Sequence, residues 1–208
     1  MFIAFDGIDG SGKTTISKEV YNYYKKDNHS VELYDMGTYG VLDDFMHSIR
    51  NTKTKLPSEV RELLFYLEGK LFSEYITENE DKTIIADRYY LTYYAYGPLN
   101  GLNQETIWKL VHNLKKPNHY FFIDVPPETA LKRISAYRKI DPPEIGYRNK
   151  LSANEENNRA SYLIAQNEIY QNYLSAIKRF DFDVHLIDGL RDPHEILEEV
   201  ISVIGINK

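Results

Sequence analysis

The chain contains no cysteine in 208 residues, which excludes disulfides, thiolate zinc sites and a cysteine nucleophile together. It also lacks any apolar stretch approaching the roughly 18 residues that a bilayer span requires. Its first residues, "MFIAFDGIDG", offer neither a basic leader nor a small-residue cleavage site, so the expectation is a soluble, cytoplasmic protein. Positive charge is in deficit as well: 25 Lys and Arg face 31 Asp and Glu, a net charge of −6. A nucleic-acid surface needs a clustered basic excess, so none is expected. Local basic residues and backbone dipoles still permit a small anionic ligand. What the chain does have is 42% hydrophobic and 13% aromatic content, enough for one α/β domain over residues 1–208 with a real core.

Short apolar runs alternate with segments of helical period. Phe2 to Phe5, Val31 to Tyr34, Thr83 to Ala86, His119 to Val125 and Val184 to Asp188 read as five strands. Lys13 to Lys26 reads as a helix, as does the stretch holding Leu42, Phe45, Met46 and Ile49. In the segment from Pro57 to Glu78, Val60, Leu63, Leu64, Leu67 and Leu71 recur at helical spacing and are expected to face the core. Pro126-Pro127 opens another helix, and Asp192-Pro193-His194-Glu195 caps a last one that ends near Ile204. The pattern implies a parallel sheet covered by helices on both faces, with ligands at the carboxyl ends of the strands. Arg138 to Glu155, with Pro142, Pro143 and Gly146, is an irregular segment too long for a simple connection.

Directly after the first strand stands "GIDGSGKTT", in which Gly7, Gly12, Lys13 and Thr14 fill the spacing G-x-x-x-x-G-K-[ST]. Such a loop turns consecutive N–H groups toward a phosphate at a helix N-terminus. Lys13 adds a full charge at the β- and γ-phosphates, and the Thr14 hydroxyl can ligate Mg²⁺. The expected ligand is a nucleoside triphosphate with Mg²⁺, cradled by Gly7, Gly10, Ser11, Gly12, Lys13, Thr14 and Thr15.

A second motif narrows the acceptor. "FDGIDGSGKTT" followed by "ADRYYLTYYAY" resembles the thymidylate kinase family, in which D-R-[YH]-x-x-S-x-x-A-[YF] follows the third strand; here it is Asp87-Arg88-Tyr89, then Thr92, then Ala95-Tyr96. "DVPPETALKRI" and "IDGLRDPHEI" also fit their places, so the resemblance covers nearly the whole chain. It implies a three-layer P-loop kinase fold with a five-stranded parallel sheet, and transfer of the ATP γ-phosphate to dTMP, typically in a homodimer. Arg88 would present a planar fork to the acceptor phosphate, and Asp87 would hold a water of the Mg²⁺ shell. Asp9 would take the sugar 3′-hydroxyl, Phe65 would lie under the base, and Thr92 and Tyr96 would complete the acceptor side. Arg133 would stack on adenine, and the segment from about 138 to 155 would be a lid. The family takes a catalytic arginine from the phosphate loop or from the lid; Gly10 holds the loop position, which leaves Arg138, with Arg148 in reserve. The lid "RKIDPPEIG" resembles that of divergent, archaeal-type members.

The same residues have plainer uses: Arg88 in a surface ion pair, Asp9 in a turn, Phe65 in the core, Arg138 as a solvated charge. Two family features are missing. An R-E-P-G-G-T stretch whose arginine holds the acceptor phosphate is replaced by "YDMGTYG", Tyr34 to Gly40, and an arginine that commonly reaches the thymine carbonyl is replaced by Gly69. Both losses touch the acceptor, so three alternatives stay open: a deoxynucleoside kinase with Asp6 as base, a kinase for another pyrimidine nucleotide, and a nucleotide-dependent switch or binding module.

Overall fold

The computed structural model describes residues 1–26, 30–36, 45, 56–146, 149–180 and 183–205. Five strands, β1 (Phe2–Asp6), β2 (Val31–Asp35), β3 (Thr83–Asp87), β4 (His119–Asp124) and β5 (Val184–Asp188), form one sheet in the order β2-β3-β1-β4-β5. All four pairings are parallel. Each expected strand lies within one residue of its observed bounds. The central strands FIAFD, TIIAD and HYFFID are buried nearly end to end, the pattern of a parallel sheet with both faces covered. Chain order reverses about β1, so a crevice opens at the carboxyl end of that strand.

Seven helices cover the sheet among the described residues: α1 (Lys13–Lys26), α2 (Ser58–Glu78), α3 (Tyr90–Tyr96), α4 (Gln104–Val111), α5 (Pro127–Tyr137), α6 (Glu155–Arg179) and α7 (Pro193–Gly205). Asp192 Oδ1 accepts from His194 N at 2.8 Å at the start of α7, the expected cap. None of these helices is long and apolar enough to cross a membrane. The helix expected across Leu42, Met46 and Ile49 lies outside the described residues, as does Arg148. Between α5 and α6 the described residues are irregular apart from one 3₁₀ turn, Pro142–Ile145, capped by Asp141 and Glu144.

Two expectations are corrected. Val60, Leu63, Leu67 and Leu71 are 40–48% exposed rather than facing the core. The buried side of α2 is instead Glu62, Tyr66, Glu68, Gly69, Phe72, Ser73 and Ile76, because Phe72 packs on Tyr34 and meets Phe2 and Tyr89 edge-on. Helical period identifies a stripe but not what it faces. The second correction is α6, for which the sequence reading assigned no element. Its Tyr162, Ala165, Gln166, Ile169, Tyr173 and Ala176 recur at helical spacing and are buried, and three of them enter the site.

Candidate active site

The loop between β1 and α1 binds itself into a turn: Ser11 N donates to Ile8 O at 3.2 Å, and Thr15 N and Ile16 N donate to Gly12 O at 3.0 and 3.2 Å. The remaining first-turn amides, those of Lys13 and Thr14, stand at the positive end of the helix. Lys13 is buried, with Nζ donating to Ile8 O at 3.2 Å and lying 3.9 Å from Asp9 Oδ1. Burial, then repulsion from Arg88, lowers its pKa against the pull of Asp9, Asp87 and Asp6, so an incoming phosphate would be a favourable partner. Thr14 and Thr15 stand exposed on the first turn. Two buried atoms beside the loop have no hydrogen-bond partner among the described residues: Ser11 Oγ and, at the end of β3, Asp87 Oδ1.

Arg88 follows Asp87 in a left-handed conformation, φ +75°, which costs a non-glycine residue roughly 1 kcal/mol. Its amide donates to Phe5 O at 2.9 Å, tying it to the end of β1. The guanidinium is ion-paired through Nη2 with Asp9 Oδ1, and Nη1 donates to Thr92 Oγ1 at 3.3 Å and Tyr173 OH at 3.4 Å. It also lies 5.2 Å from the centroid of the Tyr96 ring. Tyr96 OH donates to Asp9 Oδ2 at 2.7 Å, and Gln166 Nε2 to the same oxygen at 3.3 Å. Burial alone would raise the Asp9 pKa; Arg88, Lys13 and the Tyr96 and Gln166 hydrogen bonds outweigh it and hold the pKa below its ordinary value. Thr92 donates its proton to Asp6. Asp6 is fully buried and also accepts from Tyr120 OH, Tyr173 OH and Tyr89 N. Burial pushes its carboxyl up to about 6.

Beside this network lies a cavity of about 700 Å³, lined by Asp9, Arg88, Thr92 and Tyr96, by Phe65 of α2, and by Arg138. It thus brings together every residue assigned above to the acceptor. Arg61, Glu62 and Tyr93 also line it; sequence reasoning passed over them because nothing in their spacing separates lining from core. Arg138 caps α5 and is held by Glu144 through both guanidinium nitrogens and by Asp141 Oδ2 at 3.1 Å. Arg133 lies apart from the cavity: Nη1 donates to Ser11 O at 3.0 Å and Nη2 to Gly189 O at 2.7 Å, bracing the phosphate loop against the turn after β5.

This arrangement has relatives. The family described as thymidylate kinase matches residues 5–200. The chain belongs to the thymidylate kinase family. It is 27% identical to a probable thymidylate kinase of Sulfurisphaera tokodaii, over 98% of this chain and 95% of that one. It is also 27% identical to a thymidylate kinase of Finegoldia magna, over 98% and 97%. A probable thymidylate kinase of Methanocaldococcus jannaschii is 31% identical over 64% of this chain and 69% of its own.

Within the thymidylate kinase family the two glycines at expected arginine positions now have a steric reason. Gly10 has φ +85°, and a Cβ there would stand 2.7 Å from Ala130 O of α5, so the loop of this thymidylate kinase family member cannot carry an arginine without moving backbone. At Gly69 a Cβ would collide with Tyr93 OH and stand 2.8 Å from Tyr93 Cζ. The Tyr93 ring fills the space that a longer residue at 69 would need.

Proposed function

We propose that this protein transfers the γ-phosphate of ATP to dTMP, giving ADP and dTDP. The observation that carries the reading is Arg88: a strained, charged side chain held at the junction of the phosphate loop and a nucleotide-sized cavity. The first-turn amides of α1 and Lys13 bind the β- and γ-phosphates from one side. Arg88 and Arg138 meet the acceptor phosphate from the other and offset the charge that builds as two anions approach. The Asp9 carboxylate has about four acceptor positions, of which Arg88, Tyr96 and Gln166 occupy three, so one remains for a sugar hydroxyl. Phe65 stacks on the base, and the segment 138–155 acts as a lid that excludes water. The second pKa of a phosphate ester is about 6, so the acceptor is nucleophilic at neutral pH without a general base.

The residues present fit a Mg²⁺ ion accompanying ATP, since Asp87 offers a buried carboxylate oxygen that nothing in the described protein satisfies and Thr14 an exposed hydroxyl. Asp87, through water, and Thr14 would hold the ion. Held there, Mg²⁺ would offset the negative charge of the triphosphate. The deoxynucleoside kinase alternative needs a free carboxylate near a 5′-hydroxyl, whereas Asp6 is fully buried and accepts four hydrogen bonds from protein donors. A cytoplasmic setting and a homodimer go with the reading; the exposed ridge Val60, Leu63, Leu67 and Leu71 supports the latter.

The test is ADP release from Mg-ATP with dTMP, dUMP, dCMP and thymidine offered separately against a blank without acceptor. Turnover highest with dTMP is expected. Turnover with thymidine alone would move the activity to nucleosides, and hydrolysis indifferent to acceptor would make the protein a nucleotide-dependent switch.

A further inference from the structure

The reading above leaves the edge of the acceptor base unread. Phe65 can stack on any pyrimidine, but an aromatic face does not distinguish the hydrogen-bonding edges that separate one base from another. At Gly69, where the family pattern sets an arginine, the space is closed by Tyr93. On the same face of α2, three residues before Phe65 and seven before Gly69, stands Glu62. It lines the acceptor cavity and is 4% exposed. Asn100 Nδ2 donates to Glu62 Oε1 at 2.5 Å, so the carboxyl is anchored through one oxygen. A carboxyl anchored through one oxygen at the wall of a ligand cavity can offer the other to a polar group of the ligand.

We propose that Glu62 is the specificity-determining residue of the acceptor site, pairing its carboxyl with the N3–H and O4 edge of a uracil-type base. The inference rests on the acceptor reading proposed above. Burial pushes the Glu62 carboxyl up to about 7, against the Asn100 hydrogen bond and the charge of Arg61. Near neutral pH much of it is therefore protonated, and a protonated carboxyl carries one donor and one acceptor. That pair is the complement of a lactam edge, and the Asn100 amide holds the group in place.

The test compares dTMP with its N3-methyl analogue, which lacks the N–H, as acceptors for the wild type, Glu62→Leu and Glu62→Gln, with KM and kcat for each and KM for ATP as control. The wild type is expected to show KM for the analogue about tenfold or more above that for dTMP, since a site built to bond an N–H rejects a substrate without it. Glu62→Leu should raise KM for dTMP by a similar factor, leave KM for ATP unchanged and lose most of the discrimination. Glu62→Gln, which keeps one donor and one acceptor, should recover dTMP affinity to within about threefold. Equal KM for both acceptors in the wild type overturns the proposal without needing a variant. So does a Glu62→Leu enzyme that still discriminates, or one that weakens both acceptors alike, which would make Glu62 a brace for Asn100. A wild type that phosphorylates none of the nucleotides but hydrolyses ATP removes the acceptor reading itself, and this inference with it.

Discussion

Arg88 and Arg138 approach the same cavity with different histories. Arg88 is fixed by backbone, ion pair and hydrogen bonds, while Arg138 is half exposed, its side chain 46% accessible, and leans on a buried Glu144. The first is built into the ground state; in the proposed mechanism the second is redirected when the 138–155 segment closes. Arg138→Ala is therefore expected to lower kcat roughly a hundredfold or more while the ATP dissociation constant, measured by equilibrium titration, stays within about threefold; unchanged turnover would remove Arg138 from the mechanism. Glu62 gives a second test at this scale. Its pKa is raised from 4.5 to about 7 by burial, so the fold favours its protonated form. The associated stability is fully present below the unfolded value and is lost as pH rises through about 7. The loss is at most roughly 3 kcal/mol. Glu62→Gln stays neutral, so its urea midpoint should gain on the wild type between about pH 4.5 and 7.5 and then run parallel. A constant gap over that range would show that the carboxyl is not perturbed. Asp6, raised in the same sense to about 6, is present in both proteins and cancels from the comparison.

At the scale of elements, α2 does two unlike things with one periodic sequence. One face supplies Glu62 and Tyr66 to the interior and closes on Tyr93 at Gly69; the other shows Val60, Leu63, Leu67 and Leu71 to solvent. Four aliphatic side chains along one helix face are costly to leave in water, at about 25 cal/mol per Å² of apolar surface, and a second copy of the same ridge would cover them symmetrically. Leu63→Glu combined with Leu67→Glu is expected to shift sedimentation from dimer to monomer while each subunit keeps its far-UV circular dichroism. A wild type that sediments as a monomer at micromolar concentration would show that the ridge has another role. The helical period of this ridge was readable, yet its direction was not, because period alone does not say which side of a helix the sheet occupies.

Across the whole molecule, α6 joins parts of the site that are far apart in sequence. Tyr162 OH donates to Asp9 O at 2.5 Å, and Tyr173 OH donates to Asp6 Oδ1 at 3.2 Å. Gln166 exchanges hydrogen bonds with Asp9, its Oε1 accepting from Asp9 N at 3.2 Å, and its Nε2 also donates to Glu144 O at 2.8 Å. Glu144 holds Arg138 and Asp9 holds Arg88, so one fully buried amide links the two arginines. Gln166→Leu takes the partner from Asp9 N and from Glu144 O, which costs about 1–3 kcal/mol for each such group. It is expected to lower both the unfolding midpoint and kcat, with the kcat loss persisting at temperatures where the variant is fully folded by circular dichroism. A kcat that recovers fully on cooling would reduce Gln166 to a stabilising role.

Strand positions, the phosphate loop and the Asp87-Arg88 motif were legible in the sequence because each is local. A buried strand is a short apolar run, and a phosphate loop is a fixed spacing of glycines and a lysine before a helix. Even the absence of arginine at 10 and 69 was legible as letters. The tertiary structure alone decided why those two positions stay empty: Ala130 O stands against one and Tyr93 against the other. It also decided which side of α2 faces inward, and it set Glu62 against Asn100, Gln166 against Asp9 and Tyr173 against Asp6, partners distant in the chain. Such contacts follow from packing between elements, and no window along the chain contains both partners.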